Sequence, residues 1–256
     1  MHDSEFRAAG HRLVDRLADL LETIEERPLA RPAVPAEVHA LFAEALPREP
    51  AALEAVFAEL EEKLIPWCTQ VGHPGYMGLI TPSPLPAGIL ADFMASALNQ
   101  NVGAWSIGPS ATALERRVVR WLDDLAGLPP GAGGLLTSGG MMANFIGLKL
   151  ARDWASGDRA QVEGVTTRFT AYTSDERHVS VDKAADAVGI GRTGLRVIES
   201  AADFTLPLDR LAATIAEDRR NGCTPMAIVA MGGSTNTGAV DDLPALRALA
   251  DREKMW

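Results

Sequence analysis

The sequence predicts an α/β protein in which a mostly parallel sheet flanked by helices follows an amino-terminal helical arm. Three observations carry that prediction. Beyond Gly131, short β-type runs at 135–137, 169–173, 195–198 and 226–231 alternate with helical runs at about 142–154, 179–188, 208–220 and 243–253. Such alternation implies right-handed crossovers and a sheet covered on both faces. A Ser138-Gly139-Gly140 turn joins the first run to its helix, and residues 1–71 are instead amphipathic helices punctuated by prolines.

Within the arm, Ser4 is placed to cap a helix whose apolar positions Phe6, Leu13, Leu17, Leu20, Leu21 and Ile24 recur at helical spacing until Arg27-Pro28. Pro28, Pro32 and Pro35 lead to a helix predicted over 37–46, and Pro50 starts a third that carries Leu53, Val56, Phe57, Leu60 and Leu64 on one face. These stripes need a partner surface, either their own domain or a second subunit; periodicity leaves both open. Residues 72–86 are rich in Gly and Pro and read as an extended, turning segment. A helix over 87–98 is apolar nearly all round, which predicts burial. Thr112 and Glu115 have capping-box spacing, and the helix they would start runs to Gly127-Leu128-Pro129-Pro130. The second domain, 72–256, is expected to hold the sheet, which reads as incomplete because Lys254-Met255-Trp256 leaves a helix where the next strand is expected.

Composition narrows the function. Lys and Arg number 24 against 34 Asp and Glu, so the net charge of −10 disfavours nucleic acid and anionic lipid as partners. No apolar run approaches the roughly 20 residues of a membrane-spanning helix. Cys68 and Cys223 stand far apart and outside any Cys/His cluster, which excludes a cysteine-based metal site and fits a reducing cytoplasm. The start, Met1-His2-Asp3-Ser4-Glu5-Phe6, lacks the basic and apolar regions of a secretory signal.

Four segments bear on chemistry. Gly189-Ile190-Gly191-Arg192-Thr193-Gly194 spells the dinucleotide fingerprint, but a helix precedes it and a strand follows, the reverse of what that site needs. It reads as a helix-terminating turn. Thr137-Ser138-Gly139-Gly140-Met141 has the right order of strand, tight turn and helix, and the free N–H groups of a first helical turn suit phosphate; alone, a plain turn is as good a reading. His178 follows the run at 169–173 and opens a helix, at the strand edge where ligands bind in parallel sheets. His2, His11, His39 and His73 have less to recommend them. The loop Gly232-Gly233-Ser234-Thr235-Asn236-Thr237-Gly238 lies at the same edge and is equally compatible with ordinary turn formation.

Together and in order, these segments resemble the group II pyridoxal-phosphate-dependent amino-acid decarboxylases, which include the aromatic-L-amino-acid, glutamate and histidine decarboxylases. The resemblance runs nearly end to end: Ser4-Glu5-Phe6-Arg7, His73-Pro74, Leu98-Asn99-Gln100-Asn101 with Trp105, Pro109-Ser110-Ala111-Thr112-Ala113-Leu114-Glu115, Trp121-Leu122, Thr137-Ser138-Gly139-Gly140, the stretch from Ser174 through His178 to Ala184, and Gly233-Ser234-Thr235-Asn236-Thr237-Gly238-Ala239.

That resemblance implies fold type I, a homodimer with the arm wrapped around its partner, and pyridoxal 5'-phosphate at the sheet edge, with no metal. It implies that Gly139, Gly140 and Met141 meet the phosphate, that His178 stacks on the pyridine ring and helps to position the substrate or a proton, and that Thr235 lies close to the cofactor. The implied reaction is decarboxylation of an L-amino acid to an amine and carbon dioxide, with the cofactor as electron sink. Two departures stand out. Met141 replaces the usual Ser or Thr, which removes one hydroxyl contact to phosphate. The family's Asp for the pyridine nitrogen and its Schiff-base Lys fall beyond the position of Trp256, and Lys63, Lys149, Lys183 and Lys254 all lie on predicted helices. The chain alone is therefore expected to be inactive. The alternatives are another fold-type-I reaction, such as an aminotransferase or desulfurase, and a non-catalytic truncated paralogue that pairs with an intact decarboxylase.

Overall fold

A computed structural model describes residues 3–256, which divide into two compact units, one extending through Asn99 and the other running from Gln100 to Trp256. That boundary lies later than position 71, where the sequence marks the end of the arm. Met1 and His2, part of the leader reading, lie outside the described residues. Among the described residues no helix is long and apolar enough to cross a membrane.

The first unit is helical. Helix α1 (Asp3–Glu22) contains Ser4 inside it rather than as its cap, and a short 3₁₀ turn (Ile24–Glu26) ends at Arg27, whose extended backbone is what the following Pro28 demands. Helix α2 (Pro35–Leu41) starts two residues before the predicted position because Pro35 takes N1, and it stops well short of 46. Helix α3 (Leu53–Glu59) begins after Pro50 and passes through a π turn (Leu60–Leu64) into a 3₁₀ turn (Ile65–Trp67). Glu54 of α3 accepts from both Arg12 and Arg16 of α1, and the Arg16 guanidinium lies 5.7 Å from the Phe57 ring centroid. Residues 72–85 form turns without a regular element. Helix α4 (Pro86–Leu98) ends on left-handed Asn99, and none of its residues is buried. Burial was the expectation, yet Leu90, Phe93, Met94 and Leu98 are all exposed, because its own unit does not supply enough surface to cover a helix apolar on every side.

The second unit opens with α5 (Pro109–Leu125). Its start lies three residues before the predicted capping box, since Pro109 at N1 pre-sets the helical φ. Thr112 donates back to the Gly108 carbonyl at 2.8 Å, and Glu115 accepts from the Leu136 N–H at 2.9 Å, so neither caps the helix. The strand expected at 135–137 does not form: no neighbouring strand pairs with it among the described residues, and Leu135 and Leu136 remain exposed.

From Gly140 the alternation appears as predicted. Helices α6 (Gly140–Ser156) and α7 (Arg159–Glu163) precede β1 (Phe169–Ser174); α8 (Val179–Ala187) leads to β2 (Leu195–Ile198), α9 (Leu208–Arg220) to β3 (Thr224–Ile228), and α10 (Leu243–Glu253) follows. The strands pair in the order β2–β1–β3, all parallel, with a bulge between Thr170 and Ala171. Trp256 extends the free side of β3: its N–H donates to the Met226 carbonyl at 2.8 Å and its carbonyl accepts from the Ile228 N–H at 3.0 Å. Gly189 and Gly191, at φ +84° and +71°, terminate α8 and turn the chain into β2, as the inverted order of the glycine motif requires.

Alternate residues of the strands point to opposite faces. Phe169, Ala171 and Ala227 join Leu148, Val181 and Val188 of the α6–α8 layer, while Tyr172 joins Leu211, Ile215, Leu246 and Leu249 of the α9–α10 layer. Tyr172 is fully buried, so its hydroxyl must find a partner. It donates to Asp218 at 2.8 Å, and Arg196 of β2 donates to the same carboxylate at 2.7–3.1 Å. Burial pushes the Asp218 carboxyl up, but the bonds from Arg196 and Tyr172 outweigh it and hold the group below its usual range. A folded-state value below the unfolded value of about 3.9 means that this contribution is present at neutral pH and is lost as pH falls through the folded value. Asp218→Asn is expected to lower stability at neutral pH by about 2 kcal/mol and to flatten the acid limb of stability against pH, read by urea unfolding across pH.

Candidate active site at the carboxyl edge of the sheet

Because the three strands are parallel, the loops that leave β1, β2 and β3 emerge at one edge. Residues 175–178, directly after β1, tie that edge together one residue at a time. The Asp175 N–H donates to the Ile198 carbonyl at the end of β2, and its carboxylate accepts from the Ser200 N–H at 2.9 Å, a bond that holds the Asp175 carboxyl below its usual range. Glu176 accepts from the hydroxyls of Ser234 (3.2 Å) and Thr237 (3.0 Å), in the loop after β3. Arg177 donates through two nitrogens to Asp182 in the first turn of α8, at 2.9 and 2.8 Å, and lowers that carboxyl. His178 is the N-cap of α8: its Nδ1 accepts from the Ser180 N–H at 3.2 Å and lies 2.7 Å from the Ser180 hydroxyl.

The Ser-Gly-Gly turn enters the same network from α6, where the Asn144 side-chain amide donates to the Ser180 hydroxyl at 2.8 Å. Gly139 precedes α6 at φ +149°, a conformation that L side chains rarely adopt, and a Cβ there would meet nothing within 4 Å. No side chain caps α6, and the first bond of its opening turn runs from the Ala143 N–H to the Gly139 carbonyl at 3.1 Å. The N–H groups of Gly140, Met141 and Met142 are thus left without an acceptor among the described residues. Open space, converging N–H donors and the positive end of a helix dipole fit a dianionic phosphate. Met141 is 47% exposed, and its thioether adds no hydroxyl donor to this set.

The loop at 232–238 is held from behind by Asp241, whose buried carboxylate accepts from the N–H groups of Met231 (2.7 Å) and Leu206 (2.8 Å). Thr235 sits exposed at its tip. The structure therefore links the loops bearing the glycine turn, His178 and Thr235 through hydrogen bonds, and His178, Gly139, Gly140, Met141 and Thr235 are all exposed along an open edge. The Thr173 and Ser174 hydroxyls at the end of β1 are buried without a partner among the described residues. Sequence reasoning assigned no role to Asn144, Ser180, Glu176 or Asp241. Asn144 follows the glycine-turn motif by three residues and Ser180 lies inside the His178 stretch, but no local spacing signals that they meet across 36 residues.

Among the described residues no lysine reaches this edge through a hydrogen bond. Lys149 pairs with Asp153 at 2.5 Å, Lys63 pairs with Glu59 and Glu44 in the first unit, Lys183 is exposed on α8, and Lys254 takes a left-handed conformation after α10.

Comparison with known proteins identifies the family of the chain. Residues 35–256 match the model of the pyridoxal-dependent decarboxylase conserved domain. The chain belongs to the pyridoxal-dependent decarboxylase family. It is 29% identical to an aromatic-L-amino-acid decarboxylase of Bacillus atrophaeus, over 98% of this chain and 51% of that protein, and 30% identical to tyrosine decarboxylase 4 of Petroselinum crispum, over 100% and 52%. Among solved structures, the Oryza sativa TDC with PLP and tryptamine superposes with a TM-score of 0.92 at 26% identity, covering 100% of this chain and 54% of that one. The glutamate decarboxylase domain of a Vibrio parahaemolyticus protein gives 0.90 at 29%, covering 98% and 56%. The pyridoxal-dependent decarboxylase chain thus has fold type I and spans about half the length of the curated relatives it matches.

Glu176 is the tie between the His178 loop and the loop that carries Thr235. Glu176→Ala is expected to raise amide hydrogen exchange across 232–238 several-fold while leaving β1 protected, as read by mass spectrometry.

Proposed function

We propose that this chain forms part of an enzyme that decarboxylates an aromatic L-amino acid to its amine and carbon dioxide with pyridoxal 5'-phosphate. The observation that carries the reading is the carboxyl-edge network, which sets an uncapped helix N-terminus and an exposed imidazole into one hydrogen-bonded frame within a chain of this family. Aromatic substrates are favoured because relatives named for aromatic-L-amino-acid, tyrosine and tryptophan decarboxylation match the chain over nearly its full length.

In this reading the N–H groups of Gly140 and Met141 bind the phosphate, and Gly139 lets it approach the backbone. The His178 imidazole lies against the pyridine ring, and Thr235 closes the site from the β3 side. The bound cofactor supplies an electron sink for the bond pair released when the carboxylate leaves as carbon dioxide. His178 orients the ring and the substrate beside it. The arm at 1–71 pairs two copies, 72–256 contributes the first part of the cofactor domain, and the protein works in the cytoplasm.

By itself the chain is proposed to be inactive, because Lys63, Lys149, Lys183 and Lys254 lie on or directly beside helices and none is hydrogen-bonded to the carboxyl-edge loops among the described residues. Borohydride reduction after incubation with pyridoxal phosphate is expected to give no stoichiometric pyridoxyl-lysine; a stoichiometric adduct accompanied by release of carbon dioxide overturns this. Met141→Ser, which restores a hydroxyl beside the N–H groups, is expected to tighten binding of pyridoxal phosphate to the chain several-fold by fluorescence titration, and an unchanged dissociation constant places the phosphate elsewhere.

A further inference from the structure

We propose that Asn144 and Ser180 are positioning residues that lock the His178 ring as its Nε2–H tautomer and couple its orientation to the glycine turn. The inference deepens the proposed placement of His178 against the cofactor, and it follows from the direction of three hydrogen bonds. A side-chain amide nitrogen can only donate, so the Ser180 oxygen, 2.8 Å from Asn144 Nδ2, is an acceptor in that contact. Its own single proton is then free to point at His178 Nδ1, 2.7 Å away. The Ser180 N–H donates to the same nitrogen at 3.2 Å. Two donors converge on Nδ1, which must therefore be the unprotonated nitrogen of the neutral ring, and the ring proton resides on Nε2.

Burial gives this arrangement its force. Ser180 is 1% exposed, so water has little access to its hydroxyl, and a proton on Nδ1 would set that N–H against the Ser180 N–H. Asn144 lies one turn into α6, the helix whose first N–H groups are the proposed phosphate donors, and Ser180 lies in the first turn of α8, whose N-cap is His178. One relay thus connects the phosphate turn to the ring nitrogen. A shift of α6 reaches the imidazole through it.

The test uses the ¹⁵N-labelled chain without cofactor, with histidine tautomers read from long-range ¹H–¹⁵N spectra at a pH where the ring is neutral. The unaltered chain is expected to show His178 as Nε2–H. Asn144→Asp removes the donor and supplies an acceptor, so the Ser180 proton turns to the new carboxylate and the Ser180 oxygen accepts from Nδ1–H. The tautomer ratio is expected to move toward Nδ1–H by roughly tenfold, the scale of one net hydrogen bond. Ser180→Ala is expected to shift the ratio less, because the backbone donor remains, and Ser180→Thr is expected to restore it. An unchanged His178 ratio in both Asn144→Asp and Ser180→Ala, with the remaining spectrum that of a folded chain, overturns the relay. Addition of pyridoxal phosphate then separates the two readings: a locked Nε2–H ring whose signals do not move on addition upholds the relay and overturns the cofactor placement.

Discussion

Parallel pairing of β1 with both of its neighbours is the constraint on which the rest of the second unit depends. From Phe169 to Ser174 every residue of β1 is buried, so the strand is sealed by helices on both faces and its chain direction fixes what appears at each end. Parallel strands cannot be joined by tight hairpins, and the connections through α8 and α9 return the chain to the same starting edge each time. All three carboxyl ends consequently open at one side. The linked loops there follow from strand direction, before any side chain is considered.

The two ends of the sheet use polar groups differently. Toward the strand starts, Asp218 is saturated by Tyr172 and Arg196, a closed cluster with no capacity left for a ligand. At the carboxyl edge many side chains find partners, as Glu176 does with Ser234 and Thr237 and Asp241 does with two backbone N–H groups, although the Thr173 and Ser174 hydroxyls do not among the described residues. The backbone of the α6 turn is left unsatisfied. In the proposed reading, mutually bonded loops around a set of free N–H donors would leave little ordering to be done when an anion arrives. Asp218 and Tyr172 serve stability, whereas the α6 turn keeps N–H groups without an acceptor among the described residues.

The sequence made the second unit legible where structure is set by period. Helices α8, α9 and α10 fall within a residue or so of their predicted positions, because each has a clear apolar face against the sheet, and the inverted glycine motif at 189–194 is recognisable from what flanks it. Misreadings arise where a distant partner decides. The Thr112/Glu115 pair has the spacing of a cap, but Pro109 starts the helix earlier and Glu115 turns to Leu136. The run at 135–137 has strand composition and no strand beside it. Helix α4 has the composition of a buried element and lies exposed. At the site, the glycine turn and His178 are visible as local motifs, whereas the Asn144–Ser180 bond joins positions 36 apart and leaves no local trace.

This difference between backbone and side-chain contributions bears on how the site tolerates change. The proposed phosphate subsite is built from N–H groups that any residue except proline supplies, held in place by Gly139 at a φ that favours glycine. Met141 contributes no hydroxyl to the proposed subsite, but its backbone N–H remains available there, so a residue that looks disqualifying by type need not be so by position. The His178 environment has the opposite character. Its Nδ1 accepts from the Ser180 backbone N–H, but the hydroxyl beside it is oriented by a specific amide, and no backbone group orients that hydroxyl. Variation at the proposed anion-binding turn is therefore expected to change affinity by degrees, whereas variation at Asn144 or Ser180 is expected to shift the balance between the two ring tautomers.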